Sequence, residues 1–258
     1  MLLRLFMIAL VFCVSQHIHA KPVQLYTEHI SPFQLVEDNK LIGGTAHVVV
    51  LELMNRLRLD ANYIALPWVR SYQQTLKEKN SLIYSIARSP QREKQFKWIG
   101  KIQNVRYDFY STQPENEGAL LTPKRLHDLN IIAVRGSVEA ELLEQIGFEP
   151  NKNLYYSSNY NNAFKMVLKN RVDAIYANQF AKAGIQKSFN LSDSELVPVY
   201  TLNQSFEVYL AANKDSSPEF IETLKNEYKK MENEGLVNRL VTEEHKRILS
   251  DTKPVNPE

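Results

Sequence analysis

The chain has 258 residues, 44% of them hydrophobic, with 31 Lys and Arg against 29 Asp and Glu and a formal net charge of +2. So even a balance leaves no electrostatic footprint for nucleic acid or an anionic membrane surface, and neither is expected as a partner. The lone cysteine, Cys13, excludes an internal disulfide, and the histidines are scattered without ligand spacing, so no metal site and no cofactor are expected.

Residues 1–20 read as a secretory signal. Arg4 supplies a positive start, residues 5–14 form an apolar run, and a polar exit ends at the small residue Ala20. The run is too short to span a bilayer, which takes about 20 apolar residues. Cys13 lies inside it behind Leu10-Val11-Phe12, without the small residues that precede a lipid-modified cysteine. The expectation is a periplasmic protein, exported by cleavage near Ala20 and carrying no lipid anchor.

The mature part alternates strand and helix, the pattern of an α/β fold with a mainly parallel sheet. A strand over 23–26 leads through Ser31-Pro32-Phe33 and Gly43-Gly44 to a helix capped by Thr45, with Val49, Leu53 and Leu57 on its apolar face. A strand over 63–66 precedes a helix after Pro67. There Trp68 is a candidate cleft wall opposite Phe33, and Arg70 a second anion contact or cation–π partner. Next comes an apolar strand reaching Ser85, a polar turn, and a short helix bearing Arg92. Unpaired N–H groups at a strand end, with a planar guanidinium close behind, suit a carboxylate. Trp98 is placed in the core.

The second half repeats this grammar. Thr122-Pro123 opens a short helix, and a strand over 131–134 leads to a helix begun by Gly136-Ser137. The first-turn N–H groups of Ser137, Val138 and Glu139 carry the positive end of the helix dipole, a second place for an anion. Strands near 154–156 and 173–177 enclose a helix over 160–169, with Asp173 read as a turn-former. The segments 76–85 and 168–177 share one plan: helix end, basic-polar turn, apolar strand near a tyrosine. Such internal similarity points to two lobes.

A strand over 205–212 and a helix over 218–234 return to the first half. Lobe 1 then comprises 21–105 and 206–243, and lobe 2 comprises 106–205. Crossings near 105–112 and 203–208 make a hinged cleft, and 244–258 is read as a loose tail.

These motifs, in order, resemble the type II periplasmic solute-binding proteins of the family that includes amino-acid receptors of ABC importers. The residues that carry the resemblance are Ser31-Pro32-Phe33 with Gly43-Gly44, Ser89-Pro90-Gln91-Arg92 with Phe96, Val134-Arg135-Gly136-Ser137, Arg171-Val172-Asp173-Ala174, and Gly235. The resemblance implies two α/β lobes enclosing a small carboxylate-bearing solute, an amino acid or related acid, with Arg92 clamping its carboxylate and Ser85 facing the same cleft. It implies a monomer that serves a membrane ABC permease or, alternatively, a signalling receptor. Two departures stand out. Ala87 takes the place of an assisting hydroxyl residue and is followed by Arg88, an extra cation near the grip. Asn178 takes the place of the acidic partner of a ligand ammonium, which favours an amine-free acid. No catalytic residue is assigned and the chain is read as a binding protein. A dehydratase-like enzyme on the same fold is the other alternative, with Glu28, Glu139 and Glu207 as the carboxylates nearest the cleft.

Overall fold

The structure is a computed structural model describing residues 21–38, 40–112 and 121–250. The signal segment, with Cys13 and the Ala20 junction, lies outside the described residues, as do residues 251–258.

Strands β1 (Val23–Thr27), β4 (Ala61–Ala65) and β5 (Leu82–Ala87) alternate with helices α1 (Thr45–Leu57) and α2 (Trp68–Lys77), and a small hairpin of β2 (Leu35–Glu37) and β3 (Lys40–Gly43) precedes α1. The long β6 (Phe96–Ser111) leads to α3 (Pro123–Leu126), β7 (Ile131–Val134), α4 (Val138–Gln145), β8 (Leu154–Ser157), α5 (Tyr160–Leu168), β9 (Ala174–Asn178) and α6 (Gln179–Phe189). The equally long β10 (Val197–Asn213) is followed by α7 (Pro218–Asn233) and α8 (Leu236–Ser250).

Eight strands form one sheet in the order β4-β1-β5-β10-β6-β9-β7-β8. At one end β1 pairs in parallel with β4 and β5; at the other, β7 pairs in parallel with β8 and β9. Between them β6 and β10 run antiparallel along each other, from Phe96 opposite Asn213 to Ser111 opposite Val197. Their register breaks between Thr201 and Ser205, opposite the Asp108–Arg106 stretch. These two strands therefore carry the chain between two α/β lobes. Helices cover each half of the sheet, so its strands are buried on both faces: β7 and β9 have every residue buried, and β5 all but Ser85.

Three local features differ from the sequence reading. Thr45 does not cap α1; the helix starts after Gly44, whose N–H is taken by the Glu244 carboxylate at 2.8 Å. Gly44 has φ 116°, and a Cβ there would sit 2.3 Å from the Phe33 carbonyl oxygen, so only glycine fits. Second, residues 244–250 are no loose tail. They continue α8, because Glu244 and Ile248 are buried and Glu244 is held by Arg247. Third, the segment bearing Arg92 forms consecutive turns, with Arg92 N–H on Ser89 O and Gln95 N–H on Arg92 O, instead of a helix.

Candidate functional site

A cavity with about 400 Å³ of space between its atoms, open solvent included, lies where the lobes meet. The first lobe contributes Glu28 and Phe33 from the connection after β1, Trp68 from the first turn of α2, Ser85 and Ala87 from β5, and Arg92. The second contributes Ser137, Val138 and Glu139 at the start of α4, Tyr160 at the start of α5, and Asn178 at the end of β9. Tyr107 comes from the crossing strand β6. Most cavity residues thus stand at element ends, where a side chain leaves the packed layer and the backbone changes direction.

Ser85, by contrast, lies within β5. Tyr209 pairs with Ile86 and Leu210 with Tyr84, which leaves Ser85 as the extra residue of a bulge with φ 61°. A bulge redirects its side chain, and here the hydroxyl lines the cavity while accepting from Gln34 Nε2. Among the sequence candidates, Arg92, Ser85, Trp68, Phe33, Ser137, Val138 and Asn178 are brought together. Arg70 is not: it is exposed on α2 and absent from the cavity wall. Arg88 also points elsewhere, paired with Glu93 at 2.6 Å and lying over the rings of Trp98 and Tyr209. Trp98 is therefore half-buried beneath a cation, not in the core. Glu207 leaves the cleft as well, bound to Lys101 and Tyr209.

Arg92 is 1% exposed and already surrounded by acceptors. Its Nε and Nη2 donate to Glu141 Oε1 at 3.2 and 2.7 Å, Nη1 to Ala87 O at 3.2 Å, and Nη2 also to Gly136 O at 3.2 Å. Trp68 and Tyr72 each place a ring 5.5 Å from the guanidinium carbon. A buried guanidinium without a countercharge costs several kcal/mol, so a carboxylate at this point is a physical requirement. In this structure that carboxylate belongs to Glu141, on α4 of the opposite lobe. The sequence reading missed Glu141; its place one helical turn after Ser137 was the available signal.

The start of α4 is similarly filled. Ser137 caps the helix, its hydroxyl accepting from Ala140 N–H at 3.2 Å, and its own N–H bonds Val134 O. Glu139, 3% exposed, accepts from the Tyr160 hydroxyl, with its own backbone N–H and the Ser137 hydroxyl as nearby donors. Burial pushes its carboxyl up to about 7, against the pull of those donors and of Arg92. Glu28 is pushed up further, to about 8, by burial and then by repulsion from Glu139, with Arg92 opposing. Its Oε2 is buried without a hydrogen-bond partner.

Asn178 caps α6 through Oδ1, which accepts from Phe180 N–H at 3.1 Å and Ala181 N–H at 2.8 Å. That task explains an Asn here independently of any ligand. Asp173, placed outside the site by sequence, accepts from the backbone N–H and side-chain amide of Asn130.

The lobes are shut on one another. Trp68 Nε1 donates across the cleft to Gly136 O at 2.7 Å, and Phe33 meets Phe180 edge-on with centroids 5.6 Å apart. Gly184 on α6 lets that helix reach the first lobe, since a Cβ there would lie 2.7 Å from Ser31 O. Among the described residues no group of three or more His, Cys, Asp or Glu is arranged to hold a metal ion, and no helix is long and apolar enough to cross a membrane.

No protein-family model matches the chain, and no curated protein matches it in sequence. Solved structures do. A histidine kinase sensor domain with similarity to periplasmic binding proteins superposes with a TM-score of 0.76 at 12% identity, covering 86% of this chain and 95% of that one. The arginine-, lysine-, histidine-binding protein ArtJ of Geobacillus stearothermophilus gives 0.74 at 14% identity, with 86% and 94% covered. An ancestral amino-acid-binding protein, a precursor of cyclohexadienyl dehydratase, gives 0.70 at 16% identity, with 86% and 94% covered. Across nearly its whole described length, this chain has the two-lobed fold of the amino-acid-type periplasmic binding proteins.

Proposed function

We propose that this chain is an extracytoplasmic binding protein that encloses a small organic solute, an amino acid or a chemical relative, and presents it to a membrane partner. The observation that carries this is the cavity itself. Its wall is shared between two lobes joined by two long strands, so a ligand touching both walls favours the closed form by its extra contacts. Phe33, Trp68, Tyr107 and Tyr160 supply apolar area, and Glu28, Glu139, Asn178 and Ser85 supply a few polar groups, the usual balance of a small-molecule site. Arg92, bonded to Ala87 O on one side of the cleft and to Gly136 O and Glu141 on the other, joins the lobes in the closed form. Export by the segment 1–20 places the protein where such a solute is collected.

Thermal unfolding in the presence of amino acids, amines and amine-free organic acids tests this reading. A ligand at 100 times its Kd stabilises the fold by about 2.7 kcal/mol. A shift with at least one class is expected; none with any class, after dialysis to remove co-purified material, would count against solute binding. Two membrane partners are in view. Neighbours that are substrate-binding proteins of amino-acid ABC transporters favour a permease, and the sensor-domain neighbour favours a signalling receptor. Crosslinking in intact cells, followed by mass spectrometry of the captured membrane protein, separates them. A catalytic reading has one supporting observation, the raised carboxyls of Glu28 and Glu139, and requires turnover of a bound acid.

A further inference from the structure

The charges in the cleft do not balance in the way a carboxylate ligand needs. Arg92 already has a carboxylate from Glu141 on its fork, with backbone oxygens of Ala87 and Gly136 on its other N–H groups. At the start of α4, the Ser137 N–H is spent within the turn and the Ala140 N–H on the Ser137 hydroxyl. The Glu139 carboxyl, buried at that helix end and accepting from the Tyr160 hydroxyl, sits where an incoming anion would arrive. Arg92 is thus occupied by a carboxylate of the chain itself, and the start of α4 already holds another carboxyl, Glu139.

The cavity wall holds two carboxyls, Glu28 and Glu139, and besides Arg92 no cation: Arg70 and Arg88 both lie outside it. Glu28 Oε2 is a buried acceptor with nothing to accept from. Around these groups stand the rings of Phe33, Trp68, Tyr107 and Tyr160, whose faces attract a cation.

We propose that Glu141 is a built-in replacement for a ligand carboxylate, so that the cleft selects a small organic amine lacking a carboxylate, its ammonium received by Glu28 and Glu139. This rests on the solute-binding reading above and narrows its ligand class. An amino acid would have to displace Glu141 from Arg92 and leave that carboxylate crowded against its own; the corresponding amine displaces nothing. The ammonium supplies Glu28 Oε2 with a donor and draws both carboxyls into their charged form, with release of protons. Asn178, committed to capping α6, is not needed as the ammonium partner, and so does not exclude an amine.

Calorimetric titration of the mature protein with matched pairs tests this: putrescine against ornithine, agmatine against arginine, histamine against histidine and tyramine against tyrosine, with glutarate and phenylpropionate as amine-free acids. At least one amine is expected to bind tenfold or more tightly than its parent amino acid. Glu28→Gln should weaken that amine by tenfold or more. Glu141→Gln should shrink the preference by at least tenfold, because the parent's carboxylate then gains Arg92; if that variant does not fold, the wild-type pairs alone decide. Tighter binding of an amino acid or an amine-free acid by the wild type would overturn the inference and leave solute binding standing. Absence of binding in all three groups would overturn both.

Discussion

Within one cavity, Arg92 has its charge matched by Glu141 and three of its nitrogens bonded, whereas Glu28 keeps a buried oxygen without a partner. The first is a completed structural device: a cation–carboxylate pair that joins two lobes. The second is an incomplete one, costly in the empty protein and relieved by a bound donor. Buried polar groups are normally satisfied, so an exception that faces a cleft is a place where a ligand donor would be stabilising. Similar residue types thus serve two ends, closure on the arginine side and recognition on the carboxyl side.

The largest test of this contrast is the pH dependence of stability. Below pH 4.5 the Glu28 carboxyl is protonated in folded and unfolded chains alike. Between 4.5 and about 8 the unfolded chain ionises while the folded one stays protonated, so the folded state binds more protons and stability falls as pH rises through that window. Glu28→Gln removes the fall, with a gain at pH 8 of at most about 5 kcal/mol over pH 4.5. Urea unfolding of both proteins at the two pH values checks it, and an equal difference at both would show that Glu28 is not strained.

On the arginine side the sign reverses. Arg92→Ala leaves the Ala87 and Gly136 carbonyls and the Glu141 carboxylate without their donor and should cost about 3–5 kcal/mol in urea unfolding. A cost under about 1 kcal/mol, the value of an exposed pair, would mean that the cleft is wet and the pair incidental.

The fold was largely legible in the sequence, and the charge pattern of the site was not. Strand–helix alternation and the motif order gave the two lobes, because apolar runs such as 131–134 and 174–177 have only one way to be buried. The helix start at Gly44 escaped because its cap, Glu244, is 200 residues away in sequence. Residues 244–250 were misread for the same cause: their polar composition conceals two buried anchors, Glu244 and Ile248. Arg92, Trp68, Phe33 and Ser137, which the structure gathers at the cavity, each follow an element end recognisable in the sequence. Arg70 was grouped with them by closeness to Trp68, yet two positions along a helix turn a side chain away from its neighbour's face. Glu141 carried only a weak local signal, its place one helical turn after Ser137; its meaning comes from a pairing across the lobes that only the closed fold creates.

A smaller effect should follow from cutting that pairing on the second lobe. Glu141 is 30% exposed on its side chain against 2% for Arg92, so the protein can escape the loss by opening and letting water reach the guanidinium. Glu141→Gln is therefore expected to destabilise less than Arg92→Ala and to raise the radius of gyration measured by X-ray scattering at neutral pH. An unchanged radius would mean that Trp68–Gly136 and Phe33–Phe180 hold the lobes without it. Smaller still, Asn178→Asp keeps an oxygen to cap α6 and should alter amine affinity less than threefold, by the titration used for the matched pairs.

Carboxyl-carbon NMR of glutamate-labelled protein, titrated with an amine that binds, tests the central claim most directly. The account requires the Glu28 and Glu139 signals to titrate well above the usual carboxylate range in the empty protein and to move to their charged positions on binding, while Glu141 stays unchanged on Arg92. Movement of Glu141 with Glu28 and Glu139 unchanged would show that the ligand is gripped through Arg92, and would contradict it.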